Sequence, residues 1–110
     1  MGLKGLETYY TDLSKKYGFD VQIPEEVLTT LGFEYYQEKK MDDAIATMSV
    51  AILKYPSSDG AFGFLGALHS RNEDPEQAKK YLQKALELNP ENFRAKEILT
   101  KIEEGEENTE

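Results

Sequence analysis

The chain has 110 residues, enough for one domain with one modest core. Its net charge is −8, and five of its 21 acids fall in residues 103–110, leaving sixteen acids against all thirteen Lys and Arg in the rest. That balance argues against nucleic acid or an anionic membrane as partner, since both demand Lys and Arg to neutralise phosphate. The absence of cysteine excludes disulfides, a thiolate nucleophile and a Cys-based metal site. No apolar run of eighteen residues and no apolar export signal is visible, so a soluble chain is expected.

In chain order, residues 3–17 carry Leu3, Leu6, Tyr9, Tyr10, Leu13 and Tyr17 at spacings of 3 and 4, which predicts an amphipathic helix closed by Gly18. Phe19 to Ile23 reads as an extended link, and Pro24 is placed at the first position of the next helix. Leu28, Leu31, Gly32 and Tyr35 then share one face of a helix, and Ala44, Met48 and Ala51 one face of another. Pro56 ends this pair. A second pair follows, with Phe62, Leu65, Gly66 and His69 on its first helix and Ala78, Leu82 and Ala85 on its second, closed by Pro90. Ser57 or Ser58 caps the third helix of this series, and Asp74-Pro75-Glu76-Gln77 reads as a cap with proline just inside. Residues 92–104 place Ala95, Ile98, Leu99 and Ile102 on one stripe, a helix without a partner, and residues 105–110 are expected to be a disordered acidic tail.

A shift of 34 residues superimposes 25–58 on 59–92 with five identities: Leu31/Leu65, Gly32/Gly66, Ala44/Ala78, Ala51/Ala85 and Pro56/Pro90. They are the small, apolar and helix-ending residues that two closely packed helices require. The pattern resembles the tetratricopeptide repeat, whose signature at this period is a large residue, Leu-Gly, an aromatic, then Ala, an aromatic and Pro. Leu28 stands for the usual Trp, His69 for the first aromatic, and Met48 and Leu82 for the second. The resemblance implies an all-α fold of tandem helical hairpins: an N-terminal extra helix (3–17), units at 25–58 and 59–92, and a capping helix (92–104), all in one domain spanning 1–104. A looser resemblance rests on the Leu- and Tyr-rich first helix, Lys16-Tyr17-Gly18-Phe19, and Ile23-Pro24-Glu25-Glu26 before Leu31-Gly32. It is similar to the helical tail after the catalytic domain in some bacterial esterases of the α/β-hydrolase type. This sequence has no Gly-x-Ser-x-Gly nucleophile elbow, so the activity is not carried over with the likeness.

Candidate chemistry reduces to packing. His69, the single histidine, sits at an aromatic position of the repeat; a general base would need a nucleophile or an orienting carboxylate, and Ser70 is adjacent in sequence, not a helical turn away. Gly60, Gly63 and Gly66 lack the Lys-Ser/Thr ending or preceding strand of a phosphate loop. Gly63-Phe64-Leu65-Gly66 matches the Gly-x-x-Gly of an RNA-binding loop in letters only. The glycines instead strip side chains from a helix face, at about 0.8–1 kcal/mol each against alanine, which points to close approach by a helix or ligand. Glu25-Glu26, Asp42-Asp43 and Glu73-Asp74 are read as helix-start acids that complement the dipole, and adjacent residues on a helix do not converge on a metal. No catalytic residue, metal or cofactor is expected.

Stacked hairpins form a concave surface lined by the first helix of each unit. Its predicted lining is Glu26, Thr29, Phe33, Tyr36 and Gln37 from the first unit and Gly60, Gly63, Ala67, Ser70 and Arg71 from the second. An aromatic pair beside a flat floor suits a partner helix or extended peptide. The family resemblance implies a chaperone-tail clamp of Lys, Asn and Arg in many members, and Thr29 and Phe33 occupy matching positions here. The expected role is a non-catalytic protein-interaction module, with no nucleic acid or membrane partner, in the cytoplasm. The alternative is the accessory tail of an esterase, periplasmic if exported. The N-terminal helix has two sites open to it: the free end of the first hairpin, or the groove over Phe33 and Tyr36.

Overall fold

The computed structural model describes residues 2–107, and all of its regular structure is helical: α1 (Leu3–Tyr17), α2 (Glu25–Gln37), α3 (Met41–Lys54), α4 (Asp59–Arg71), α5 (Pro75–Leu88) and α6 (Phe93–Glu107). α2 pairs with α3 and α4 with α5, α3 packs against α4, and α6 rests on α5 and α4. The resulting stack is elongated, 58 × 28 × 17 Å. None of the described helices is long and apolar enough to cross a membrane.

The 34-residue period reappears in the packing. At Gly32 and Gly66 the second helix of each hairpin lies close against the first. A Cβ on Gly32 would lie 2.9 Å from Met48 Sδ, and one on Gly66 would lie 2.7 Å from Leu82 Cγ. Between the helices of each hairpin the chain turns through a left-handed residue, Lys39 (φ 63°) and Glu73 (φ 59°), again 34 apart. Glu73 therefore belongs to the turn and not to a helix start, and Asp74 alone caps α5, accepting from the Gln77 amide at 3.3 Å. Ser58 caps α4 through the Ala61 amide (3.1 Å) and donates to the Glu25 carboxylate. One period on, Asn92 caps α6 through the Ala95 amide (3.1 Å) and donates to Asp59 Oδ2 (2.9 Å). Each cap is thus also a tie to the acid that opens the first helix of the preceding unit.

Two cores follow. One gathers Ile23, Leu28, Ala44, Met48, Ala51, Ala61, Leu65 and Leu68, the other Phe62, Ala78, Leu82, Ala85, Ala95 and Leu99. His69 belongs to this packing: its ring stacks on Tyr81 (centroids 5.5 Å apart, 13° between planes), and its Nδ1 is 3.9 Å from Asp74 Oδ2. Pro24 is the cap of α2 and not its first residue. Its ψ of 146° is extended while its carbonyl accepts from Val27 and Leu28.

α1 takes the free end of the first hairpin. The Leu3 amide donates to the Tyr35 hydroxyl (3.3 Å), Leu6 lies with Val27 and Leu31, and Ser14 Oγ accepts from the Val21 amide (2.7 Å), so α1 runs antiparallel to α2. Leu3, Leu6 and Tyr10 pack on the first core, but Tyr17, at the end of the same predicted amphipathic stripe, is 57 % exposed. Gly18, at φ 75°, turns the chain back at once, leaving the last turn of α1 overhanging beside Phe19.

α6 runs to Glu107, so residues 105–107 of the expected disordered tail are helical, and residues 108–110 lie outside the described residues. Lys79 on α5 holds the extra turn through Glu106 (2.8 Å). This hydrogen bond raises the Lys79 pKa above its ordinary value against the opposing effect of desolvation, with Glu106, Glu76 and Glu103 adding by charge. A raised amine contributes its stability below the ordinary lysine range and loses it only as pH climbs through the raised value, so the tie is intact at neutral pH. Lys79→Met should speed amide exchange several-fold at residues 103–107 and nowhere else at pH 7. Unchanged rates there would show that the last turn is held by other contacts.

Candidate functional site: a groove between α2, α4 and α6

The first helices of the units and α6 enclose a groove of about 370 Å³. Thr29, Phe33 and Tyr36 come from α2, Gly60, Gly63, Phe64, Ala67, Leu68 and Arg71 from α4, and Asn92, Arg94 and Ala95 from the cap and first turn of α6. Phe33 is 50 % exposed and lies 6.4 Å from the Tyr36 ring. The Arg71 guanidinium sits 5.5 Å above that ring, a cation–π contact that orients it. Gly60 opens the floor, since a Cβ there would meet nothing nearer than Ser58 Oγ at 3.9 Å. Gly63 differs: its bare face is used by α6, with Asn92 Nδ2 3.3 Å from a would-be Cβ.

Of the predicted lining, the groove brings together Thr29, Phe33, Tyr36, Gly60, Gly63, Ala67 and Arg71. Three residues fall elsewhere. Glu26 borders a separate depression with Leu6, Val27, Thr30, Leu31 and Glu34 on the α1 side. Gln37 is exposed outside the groove, and Ser70 faces α6 in an adjoining depression. The cause is angular. At about 100° per residue, Thr29, Phe33 and Tyr36 are rotated toward α4, whereas Glu26 and Gln37 lie on the edge of that stripe turned away from it. Sequence reasoning stopped at the second unit and missed Phe64, Leu68, Asn92, Arg94 and Ala95. One more step of 34 from Gly60 lands on Arg94, so the repeat itself carried that signal. α1 does not cover Phe33, so the aromatic wall is open.

Among the described residues, no group of three or more His, Cys, Asp or Glu is placed to hold a metal. Glu25, Asp42 and Asp43 sit in first turns of helices, as dipole complements do.

Residues 61–92 match the family model described as tetratricopeptide repeat. That segment carries a tetratricopeptide repeat. The matched residues contribute Gly63, Ala67 and Arg71 to the groove, Gly60 lies just ahead of them, and α2 contributes the aromatic wall. No curated protein matches the chain. Among solved structures it is similar to one described as the first TPR of Spaghetti (RPAP3) bound to the HSP90 peptide SRMEEVD, with 29 % identity, a TM-score of 0.69 and coverage of 74 % of this chain. The match spans 65 % of that chain's length, so the likeness extends to part of it only.

Proposed function

We propose that this chain is a non-catalytic interaction module that holds a peptide or short helix of a partner protein in the groove between α2, α4 and α6. The observation that carries this is the open aromatic wall of Phe33 and Tyr36 facing the side-chain-free floor at Gly60. A large apolar anchor in a concave site is the usual source of binding energy in such contacts. The peptide-bound state of the Spaghetti (RPAP3) repeat supports the same use of the fold here. Thr29 and Phe33 at the clamp positions favour an occupant with more apolar character than a chaperone tail.

The test is selection of binding peptides on the immobilised full chain, followed by affinity measurement on Phe33→Ala and Gly60→Leu. Removing the aromatic wall or filling the floor should each weaken the selected peptides by at least about tenfold, the scale of one lost anchor. Equal binding by wild type and both variants would place the contact outside the groove.

A second reading is favoured by the overhang of α1. Tyr17 and Phe19 (66 % exposed) form a wet aromatic pair, 6.2 Å apart, next to Lys16. In that reading the chain is the accessory tail of a larger protein such as an esterase, and this pair seats against the catalytic domain.

A further inference from the structure

The apolar stripe of α1 divides when the helix packs. Leu3, Leu6 and Tyr10 go to the first core, whereas Tyr9, Leu13 and Tyr17 have no place in either core among the described residues. Spaced by four, these three stand in one row along the helix, a ridge turned roughly 50° from the packed side at about 100° per residue. Tyr9 is 50 % exposed, and Phe19 prolongs the row past the end of α1, beside Tyr17. The rings are held in place: Tyr9 meets Tyr10 edge-on at 5.3 Å, and the Lys16 amine lies 5.6 Å over Tyr17.

Next to the ridge, between α1 and α2, lies the depression floored by Leu6, Val27 and Leu31, about 400 Å³ in volume. Its α2 rim carries the exposed Glu26 and Glu34. None of its lining residues lines the groove between α2, α4 and α6, so it is a separate surface. Ridge and depression match in length, since Tyr9 to Tyr17 and Glu26 to Glu34 each step eight residues, about 12 Å of helix. They also match in charge, with Lys16 flanking the ridge and two carboxylates edging the depression. A face that carries a knob beside its own socket, with opposite charges on the two, is complementary to itself under a two-fold axis. The exposed side chains are Tyr and Phe, the types that interface cores favour.

We infer that this face is where two copies of the chain join as a two-fold dimer. The Tyr9–Leu13–Tyr17 ridge of each copy lies in the α1–α2 depression of the other, and Lys16 of each meets the acid rim of the other. The contact is small as specific interfaces go, so its dissociation constant is of micromolar order.

Sedimentation equilibrium of the full chain from about 1 µM to 1 mM tests this, with circular dichroism to check that each variant is folded. The wild type should fit a monomer–dimer equilibrium. Y9S/Y17S alters exposed residues only and should weaken the dimer by at least about tenfold. K16E alone and E26K/E34K alone should each weaken it several-fold, because like charges then face each other twice per dimer. An equimolar mixture of those two variants should dimerise as well as the wild type, because every facing pair in the heterodimer is again of opposite sign. A monomer at every concentration overturns the inference and leaves the face to a different protein, as in the accessory-tail reading. A dimer indifferent to Y9S/Y17S overturns it by placing the contact elsewhere. Charge variants that weaken the dimer singly and gain nothing on mixing overturn the ridge-in-depression pairing. None of these results bears on the groove, whose own test is peptide selection.

Discussion

Gly66→Ala is expected to lower stability by about 1–3 kcal/mol, the usual cost of forcing an extra carbon into a packed interface. The new Cβ would lie 2.7 Å from Leu82 Cγ, 2.8 Å from Leu82 Cδ2 and 3.2 Å from the Leu82 backbone nitrogen. Leu82 is fully buried and γ-branched, and its backbone belongs to α5, so the helices themselves must separate. Leu82→Ala alone should cost about 2–5 kcal/mol through lost burial and a residual cavity. In the double variant the two changes relieve each other: the alanine methyl enters space that Leu82 vacated, and alanine regains about 0.8–1 kcal/mol of helix propensity over glycine. The sum of the single costs should therefore exceed the double cost by at least about 1 kcal/mol. Urea unfolding of the four proteins measures this, provided the slopes agree. Additive costs would mean that Gly66 and Leu82 do not limit the approach of α4 to α5. Gly32→Ala is the control. Its Cβ meets the flexible thioether of Met48 at 2.9 Å, which can swing aside, so the loss there should be smaller.

Deleting residues 1–17 should lower the unfolding midpoint by about 5–10 °C, given roughly 4–8 °C per kcal/mol for a domain this size. Leu3, Leu6 and Tyr10 pack on the first core, and α1 closes the free end of the hairpin over Val27 and Leu31. Full burial of such side chains is worth about 1.5–3 kcal/mol each. Here none is fully buried, and the deletion also spares the entropy of ordering fifteen helical residues, so the net loss is modest. Differential scanning calorimetry of the two chains reads the shift. An unchanged midpoint would mean that α1 contributes nothing to the fold and that its apolar face serves another contact.

The hairpins were legible because the repeat writes the same constraint twice. Gly32 and Gly66 mark the close approach, Ala44 and Ala78 are buried on the second helix of each unit, and Pro56 and Pro90 end each unit. The groove was legible in part for the same reason: period and helical spacing locate a face, and Phe33, Tyr36, Gly60 and Arg71 lie on it. What the spacing does not encode is how far each helix is rotated about its axis when packed. That rotation turned Glu26 toward α1 and Ser70 toward α6. The course of α1 was equally hidden, because both candidate sites are apolar and the choice is made by single contacts, the Tyr35 hydroxyl on Leu3 and Ser14 on Val21. The last turn of α6 is tied to α5 by Lys79 and Glu106, a long-range pairing that a run of glutamates gives no hint of.

The most direct measurement is a ¹H–¹⁵N NMR titration of the full chain with a peptide from the selection. A groove binder should shift the amides of Phe33, Tyr36, Gly60, Gly63 and Ala67 together, with the Arg71 and Arg94 side-chain signals moving in the same saturable step. Shifts confined to Tyr9, Tyr17 and Phe19 on the α1 side, with the groove amides unmoved, would contradict it.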